Sequence, residues 1–308
     1  MPCLPHPDVP EWGMASSTLD VDGRALKVSN LDKVLYPEEG TTKFEVIQYV
    51  LSVADPLLGQ LADRPCTRKR WPDGVSKEPF FEKNVPRGTP DWVRTVEVAT
   101  PGSSTGRDSL VFPVVEHPSD LVWLANLAAL ELHTPQWTVG PRGGVRDADR
   151  LVIDLDPGEP AGLAEAVEVG HLVRERLEAD GWRTVPVTSG SKGLHLYASH
   201  GRDSSPDALR EYARGIADEL SGEHPDRVLS VMRRSDRHGK VFLDWSQNVR
   251  AKTTITPYSL RGRSRPWVAA PRTWDELDDP AAVRQVLFSE MAERLERLGD
   301  PMTVLTDA

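Results

Sequence analysis

Two aspartates inside an apolar segment constrain this chain more than any other feature. In RLVIDLDPG, residues 150–158, Asp154 and Asp156 interrupt a run that otherwise has the composition of a buried strand. Side chains alternate between the two faces of a strand, so the aliphatic residues would pack a core while both aspartates share the opposite face. Two carboxylates placed in this way repel each other unless a cation lies between them. The segment therefore predicts a strand that supplies metal ligands.

A third aspartate lies in KVFLDWSQN, residues 240–248. Asp244 again interrupts an apolar strand, where an unpaired charge is costly. Convergence of Asp244 with Asp154 and Asp156 on a pair of divalent ions would remove that cost. The alternative is structural: Asp244 binds backbone amides at the end of its strand, and Asp156 caps the turn that follows it.

A Ser/Gly turn lies between these two strands, in VTSGSKGLHLY, residues 187–197. The backbone amides of this turn, with Ser189, Ser191 and Lys192, predict a nest for phosphate groups. His195 follows on the next strand and faces the side that the site requires. A Gly-rich turn or a strand histidine alone is weak evidence, but three carboxylates and this turn together fit two-metal nucleotidyl transfer.

The charge distribution allows a nucleic-acid partner despite an acidic total. The formal net charge of −10 argues against binding phosphates, which requires Lys and Arg. However, residues 64–94 contain eight basic and four acidic side chains, and residues 232–263 contain eight basic and two acidic ones. These segments predict localised regions of positive surface charge. The alternative is that their charged residues only solvate loops.

Length and cysteine content exclude several classes of protein. A chain of 308 residues suits one large domain or two closely packed lobes. With only Cys3 and Cys66, a disulfide framework or a cysteine-bound metal site is excluded, so any metal must be held by oxygen or imidazole. The lack of a membrane-length apolar run and of a signal-peptide pattern predicts a cytoplasmic protein without a membrane partner.

The hydrophobic pattern predicts an α/β fold with mixed sheets flanked by helices. Pro-rich residues 1–17 predict a flexible tail, and residues 18–300 a catalytic domain with an N-terminal lobe at about 18–145 and a motif-bearing lobe at about 146–300. In the first lobe we expect a hairpin at Asp22-Gly23, a helix over 42–54 with a capping box of Thr42 and Glu45, strands in TVEVAT and SLVFPVV joined by the turn 100–109, and a helix over 119–133 capped by Ser119. In the second we expect strands at 150–156, 183–188, 193–199, 240–246 and 253–258, and helices at 161–179 and 206–221.

The three motif segments together resemble those of the archaeo-eukaryotic primase superfamily. More narrowly, NLDKVLYP, TRKRWPDGV, PFFEKNVP, ELHTPQW, KTTITPYSLRGR and VAAPRTWDEL resemble the polymerase domain of bacterial ligase D, over residues 27 to 298. The resemblance implies a primase-polymerase catalytic core. Such a core would add nucleotides, often ribonucleotides, to primer ends at double-strand breaks or short gaps, with two Mn²⁺ or Mg²⁺ ions and NTPs or dNTPs as substrates.

The resemblance also implies a role for individual residues. The implied metal ligands are Asp154, Asp156 and Asp244; the implied nucleotide contacts are Ser189, Lys192, His195, Gln247, Arg261 and Arg237. The implied pocket for the 5′-phosphate of the downstream DNA strand is Asn30, Lys33, Lys43 and Lys69, and the implied pair that stacks on template bases is Phe80 and Phe81. For Lys43 a solvated surface position is the alternative.

The implied partners are DNA with gapped or broken ends that carry a 5′-phosphate, a Ku-like end-binding protein and an ATP-dependent DNA ligase, in a bacterial, nucleoid-associated setting. The turn 100–109 does not align with the family, and no ligase or nuclease portion is present, which suits a stand-alone relative or an excised domain. Two rival functions are a non-catalytic DNA-end-binding module and a DxD metal-dependent glycosyltransferase. The latter has no use for the second basic segment or for the Phe80-Phe81 pair.

Overall fold

The structure is a computed structural model that describes residues 17–100 and 108–306. The first half contains β1 (Ser17–Val21), β2 (Arg24–Val28), β3 (Val34–Tyr36), β4 (Thr41–Thr42), α1 (Lys43–Ser52), α2 (Ala54–Leu61), β5 (Thr67–Arg70), β6 (Phe80–Glu82), β7 (Thr95–Ala99), β8 (Ser109–Pro113), α3 (Pro118–Asn126) and β9 (Ala129–Thr134). The predicted tail, apart from residue 17, and most of the turn 100–109 lie outside the described residues.

The second half contains β10 (Trp137–Val139), β11 (Val145–Ala148), β12 (Leu151–Pro157), α4 (Leu163–Ala179), β13 (Arg183–Thr188), β14 (Leu194–Ser199), α5 (Pro206–Glu223), β15 (Val228–Leu229), β16 (Val241–Asp244), β17 (Thr254–Ile255), β18 (Trp267–Val268), β19 (Ala270–Pro271), β20 (Val286–Leu287) and α6 (Met291–Leu298). Short 3₁₀ turns lie at Arg234–Asp236, Trp245–Asn248, Asp275–Leu277, Pro280–Ala282, Phe288–Glu290 and Pro301–Leu305.

A six-stranded sheet carries all three motif segments, in the order β15-β16-β12-β14-β13-β19. Its pairs are antiparallel except for β15 and β16, so the predicted mixed sheet is confirmed. Leu151, Ile153 and Leu155 of β12 are fully buried in one core with residues of α4 and α5. The helices therefore cover one face of the sheet, and Asp154 and Asp156 lie on the other face, as the alternation predicted.

A four-stranded antiparallel sheet, β17-β9-β5-β6, carries the first basic segment and the phenylalanine pair. The basic residues of this segment do not all contribute to the surface. Arg64 and Arg68 are buried and bind backbone carbonyls, and Arg64 also forms an ion pair with Asp149 at 2.5 Å. The positive surface predicted for residues 64–94 is therefore smaller than the count of basic residues suggested.

Two hydrophobic cores divide the described residues between them. The first includes α1, α2 and α3 with parts of β9 and β13, and the second includes the inner faces of α4, α5 and β12. Both cores draw residues from each side of position 145: Val152 belongs to the first, and Val96 to the second. The division into two lobes at this position stays a prediction.

The prediction of one helix over 119–133 is wrong, because this segment contains most of helix α3 and of strand β9. Helix α3 ends at Asn126, Ala128 adopts a left-handed φ of 55°, and strand β9 begins at Ala129. Both elements are buried, so their uniformly apolar composition carries no period that distinguishes a helix from a strand. The N-cap is His117 rather than Ser119, and the Asp120 carboxylate accepts hydrogen bonds from the amides of Glu116 and His117.

Most other predicted elements agree with the structure, with differences at their ends. The capping box of Thr42 and Glu45 is confirmed, although helix α1 ends at Ser52 and α2 follows. The strand predicted at 240–246 ends at Asp244, where a 3₁₀ turn begins, and the one predicted at 253–258 is reduced to Thr254–Ile255. Among the described residues, no helix has the length and apolar character to cross a membrane.

Arg150 provides a test of how the elements around β12 are joined. This residue is 6% exposed, and its guanidinium donates to the side-chain oxygens of Gln136 at 2.7 Å and Gln60 at 2.8 Å and lies over the Tyr197 ring. Replacing Arg150 with Met leaves both buried oxygens without this donor. We expect the free energy of unfolding to fall by about 2–4 kcal/mol in urea denaturation. The exposed Arg202→Met variant is the control and should remain within about 0.5 kcal/mol of the wild type.

Candidate active site

Strands β16, β12 and β14 place three motif residues side by side. Asp154 on β12 pairs directly with Asp244 on β16 and with His195 on β14. Side chains of directly opposed residues point to the same face of a sheet. Asp154 is therefore the centre of a row in which Asp244 and His195 are its immediate neighbours, and residues 90 positions apart in the sequence meet because of strand register.

Asp154 is held in its ionised form by basic neighbours. The His195 Nε2 atom lies 3.3 Å from its Oδ1, and the Gln247 side-chain amide approaches its Oδ2 at 3.5 Å. Burial raises the pKa of the Asp154 carboxyl, but His195, Arg261 and Lys252 together outweigh burial, so the pKa lies below its usual value. The carboxylate at the centre of the row is thus available as a ligand at neutral pH.

Asp244 binds a backbone amide, as the structural alternative predicted, and its second oxygen remains directed at the other motif residues. Its Oδ1 accepts a hydrogen bond from the Ser246 amide at 3.0 Å and so caps the 3₁₀ turn that follows β16. Its Oδ2 accepts from the Gln247 side-chain Nε2 at 3.1 Å and lies 3.7 Å from the Lys252 Nζ. The cap fixes the carboxylate at the strand end while its second oxygen faces the other motif residues.

Asp156 is bound by an arginine from a neighbouring loop. The Arg237 Nη1 donates to its Oδ2 at 2.6 Å, and the same guanidinium lies 4.0 Å from the centre of the Phe242 ring. A Cβ atom at Gly158 would stand 2.0 Å from the Arg237 carbonyl oxygen, so only glycine permits the loop to approach β12 so closely. The predicted nucleotide contact Arg237 therefore binds one of the three predicted metal ligands directly.

The three carboxylates suit a divalent cation in their chemistry. All carry oxygen donors, which Mg²⁺ and Mn²⁺ prefer, and they are partly open to solvent, with side-chain exposures of 24% for Asp154, 38% for Asp156 and 17% for Asp244. Each of the three carboxylates contacts a protein donor. Across residues 17–100 and 108–306, no group of three Asp, Glu, His or Cys side chains is arranged to hold a metal ion.

The turn between β13 and β14 differs from the predicted amide nest. The Ser189 amide donates to the Gly193 carbonyl, and the amides of Ser191 and Gly193 donate to the Ser189 hydroxyl. The Gly190 amide donates to the Gln285 side chain. These amides are already satisfied within the protein, so a phosphate would meet the exposed Lys192 side chain instead.

Arg261 belongs to a buried ionic cluster behind the row. Its Nε lies 3.4 Å from the Glu131 Oε1, which also accepts the Gly262 amide, while His133 shares a hydrogen bond with the second oxygen at 3.0 Å. Burial raises the pKa of Glu131, but His133 and Arg261 outweigh it and hold the pKa at about 2. Burial lowers the pKa of His133 below 6.5, so the ring is neutral at pH 7. Glu131 therefore pairs with the Arg261 guanidinium and compensates its charge.

Three of the residues predicted to bind a 5′-phosphate, Asn30, Lys33 and Lys43, lie around the start of α1. Lys33 forms a 2.9 Å ion pair with Asp73, and Asn30 adopts a left-handed φ of 52°. Lys43 is 6% exposed, and its Nζ donates to the carbonyls of Ser29 and Asn126 at 2.9 Å. Lys43 is thus not the solvated lysine of the alternative interpretation. Burial, followed by the charges of Lys33 and Arg70, lowers its pKa.

Lys69 and the phenylalanine pair lie on the adjoining sheet. Lys69 pairs with Phe81 and Glu131 in the β6-β5-β9 ladder, and its Nζ lies 5.1 Å from the centre of the Trp71 ring. Phe80 and Phe81 are 60% and 56% exposed on the edge strand β6. Two exposed aromatic rings on a sheet edge provide stacking area, and the Lys83 Nζ lies 6.0 Å from the centre of the Phe81 ring.

Several residues at the site were not identified from the sequence. Lys252 approaches Asp244 and donates to the Ser246 hydroxyl, and its only sequence signal was membership of the second basic segment. The Asn248 side chain accepts from the Val152 amide at 2.9 Å and donates to the Val152 carbonyl at 2.7 Å. This side chain extends the β-ladder and fixes the 3₁₀ turn against β12. No local pattern could have identified a contact between residues so distant in sequence.

Comparison with known proteins identifies the family. The family model described as the LigD primase-polymerase domain matches residues 42–302. The chain belongs to this family. It is 47% identical to the multifunctional non-homologous end joining DNA repair protein LigD of Mycobacterium tuberculosis (strain ATCC 25618 / H37Rv) over 278 residues, which is 89% of the chain and 36% of that protein. It is 33% identical to the bifunctional non-homologous end joining protein LigD of Bacillus subtilis (strain 168) over 281 residues, 90% of the chain and 43% of that protein.

A solved structure supports the same assignment. The polymerase domain from Mycobacterium tuberculosis ligase D, in complex with DNA, matches with a TM-score of 0.86 and 46% identity, over 92% of this chain and 99% of that one. The predicted family and fold class are confirmed, and with them the nucleotidyltransferase class and the general dependence of this family on divalent metal. The chain spans less than half the length of the LigD proteins above.

The pKa of Glu131 allows a test of the ionic cluster behind the row. Because the folded-state pKa of about 2 lies below the ordinary 4.5, the unfolded chain takes up a proton first as the pH falls. The stabilisation is complete above pH 4.5 and is lost as the pH falls towards 2. We expect Glu131→Gln to lower the free energy of unfolding by about 2–3 kcal/mol at pH 7 and by progressively less in acid.

The measurement is urea denaturation of the wild type and the variant across this pH range. Glu175→Gln, on the exposed side of α4, is the matched control and should show no pH-dependent difference. A difference between wild type and Glu131→Gln that stays constant down to pH 2 would contradict an ionised Glu131 in the cluster.

Proposed function

We propose that this chain is a template-dependent polymerase that adds nucleotides, preferentially ribonucleotides, to primer ends at double-strand breaks or short gaps. The observation that carries the proposal is the strand register that pairs Asp154 with Asp244 and with His195. This register places the acidic residues of two separate motifs on one face, in a chain of the LigD primase-polymerase family. Nucleotidyl transfer by metal-dependent enzymes requires such convergent carboxylates.

The metal ligands in this proposal are Asp154, Asp156 and Asp244, with Mn²⁺ or Mg²⁺ as the ions. When bound, a pair of such ions activates a primer 3′-hydroxyl and neutralises charge on the triphosphate. The protein contributes the ionised state of Asp154, since the pKa of this carboxyl is held below its usual value. It also contributes their orientation, because the Ser246 amide fixes Asp244.

The triphosphate contacts in this proposal are basic side chains around the row. Lys192 is exposed at the tip of its turn, and Arg261 is paired with Glu131. Charge-assisted hydrogen bonds from these residues and from His195 to phosphate oxygens would orient the substrate beside the carboxylates. The Gln247 side chain contacts Asp154 and Asp244, and Arg237 binds Asp156. Gln247 and Arg237 would therefore also lie within reach of a triphosphate bound beside these carboxylates.

The DNA contacts in this proposal lie on the other sheet and around α1. The solved relative is a complex with DNA. In this chain the exposed Phe80 and Phe81 would stack on template bases, and Lys33 and Lys69, with Asn30, would contact a 5′-phosphate. Lys43 would act by holding the Ser29 carbonyl and so the shape of the Asn30 loop. A Ku-like protein and an ATP-dependent ligase are proposed partners, in the bacterial cytoplasm at the nucleoid.

A DNA-end-binding module without catalysis is the main alternative to this proposal. The ionised Asp154 and the capped Asp244 favour the enzyme, since a silent module has no need to keep three carboxylates on one face. A glycosyltransferase is not favoured, because the chain belongs to a polymerase family.

The assignment of Asp154 is tested by primer extension on a gapped duplex with Mn²⁺ or Mg²⁺. Replacing Asp154 with Ala removes the central ligand, and we expect extension to fall by at least about a thousandfold while DNA affinity stays within about threefold. Asp203→Ala, at an exposed position, is the matched control and should extend normally. Extension at the wild-type rate by Asp154→Ala would refute the metal assignment, and no extension by the wild type would favour the end-binding module.

The proposed 5′-phosphate pocket is tested by comparing gapped duplexes with and without that phosphate. Lys33→Ala removes a cation, and we expect the ratio of the two affinities to fall about five- to tenfold, because one charge-assisted contact is lost. Fluorescence anisotropy measures both affinities. Lys27→Ala, on the exposed side of β2, should leave the ratio unchanged. An unchanged ratio in Lys33→Ala would exclude Lys33 from the pocket.

A further inference from the structure

The turn that presents Lys192 is shaped by hydrogen bonds within the turn and by close packing. The Ser189 amide donates to the Gly193 carbonyl at 3.1 Å, and the Ser189 hydroxyl accepts the Gly193 amide at 3.2 Å. A Cβ atom at Gly193 would stand 2.3 Å from the Leu155 carbonyl oxygen, so the turn rests directly on strand β12. These contacts leave the outer side of the turn, at Gly190, to be supported from elsewhere in the chain.

The side chain of Gln285 provides that support. Its Oε1 accepts the Gly190 amide at 2.7 Å, and its Nε2 donates to the Gly193 carbonyl at 3.4 Å. One side-chain amide thus bridges the two glycines that flank Ser191 and Lys192. Gly190 is buried and adopts a left-handed φ of 64°, and its amide loses this acceptor if Gln285 is removed.

Gln285 is itself held in place by strand pairing. It immediately precedes β20, whose residue Val286 pairs with Val268 of β18. Gly190 packs against β18: a Cβ atom at this position would stand 2.8 Å from the carbonyl oxygen of Val268. The same Cβ atom would stand 2.4 Å from the Arg261 side chain. The amide of Gln285, the turn and the Arg261 side chain therefore form one packed unit.

We propose that Gln285 is a positioning residue for Lys192, which acts by fixing the turn in the shape that presents this lysine to the triphosphate of the incoming nucleotide. This inference rests on the proposed function, because it concerns the nucleotide that a polymerase binds. A lysine on a four-carbon chain loses affinity when its backbone is free to move, since ordering then occurs on binding. Gln285 removes that cost before the substrate arrives.

Two substitutions separate the amide of Gln285 from its bulk. Gln285→Met keeps the length and volume of the side chain and removes both hydrogen bonds, whereas Gln285→Ala removes the bulk as well. The measured quantity is the Kd of a ribonucleoside triphosphate on a gapped duplex with a non-extendable primer, in Mn²⁺. We expect both variants to raise this Kd about five- to tenfold and to leave the affinity for the duplex unchanged. Gln48→Ala, on the exposed side of α1, is the matched control.

A double-substitution cycle tests whether Gln285 acts through Lys192. We expect Lys192→Ala alone to raise the Kd and the addition of Gln285→Met to change it by less than about twofold, because the positioned group is already absent. Independent, multiplicative effects would overturn the proposal. So would a wild-type Kd in Gln285→Met, which would leave only a packing role, and so would loss of the folded state in both Gln285 variants.

The wild-type control separates this inference from the proposed function. If the wild type extends the gapped duplex while Gln285→Met binds the triphosphate normally, the polymerase function stands and the role of Gln285 is refuted. If the wild type binds no triphosphate and extends no primer, the proposed function fails, and the role of Gln285 fails with it.

Discussion

Repulsion among three aspartates on one face of a sheet is the constraint on which the rest of the site depends. Asp154, Asp156 and Asp244 bring three negative charges together, and like charges at this spacing are costly without compensation. Each of them is bonded to a different protein donor: Asp156 to Arg237, Asp244 to the Ser246 amide, and Asp154 to His195. Lys252 adds a second full cation beside Asp244. The Arg237 and Lys252 cations offset part of the negative charge that the three side chains bring together.

The loops around this row reach it because backbone approaches backbone. Gly158 admits the Arg237 loop, Gly193 lets the Lys192 turn rest on β12, and Gly190 lets that turn pack against Arg261. At each of these positions a Cβ atom would overlap a neighbouring atom, at distances of 2.0 to 2.4 Å. The site is therefore assembled by main-chain packing, and the charged side chains are oriented by where these loops are allowed to lie. The buried Glu131 then pairs with the Arg261 guanidinium and accepts a hydrogen bond from the amide of Gly262, which follows Arg261 in the chain.

Prediction of the individual elements succeeded where local chemistry is decisive and failed where burial is complete. The capping box of Thr42 and Glu45 identified the start of α1, because the box satisfies amides within four residues. The segment 119–133 was interpreted as one helix, yet it contains α3, a left-handed Ala128 and strand β9. A fully buried strand and a fully buried helix are equally apolar, so only their packing partners distinguish them. The amides of the Ser189 turn were likewise expected to be free, but Gln285 binds one of them from a distance.

The sequence by itself determined the alternation that places Asp154 and Asp156 on one face of a strand, the family to which these motifs belong, and the acidic and basic residues from which the site is built. Alternation and composition are local properties, and a single segment carries them. The tertiary structure alone decided that Asp244 and His195 lie directly beside Asp154, that Lys43 is buried under the Asn30 loop, and that Lys252, Asn248 and Gln285 support the site. Strand register and long-range hydrogen bonds join residues that are far apart in the chain, and no local pattern encodes which of them will meet.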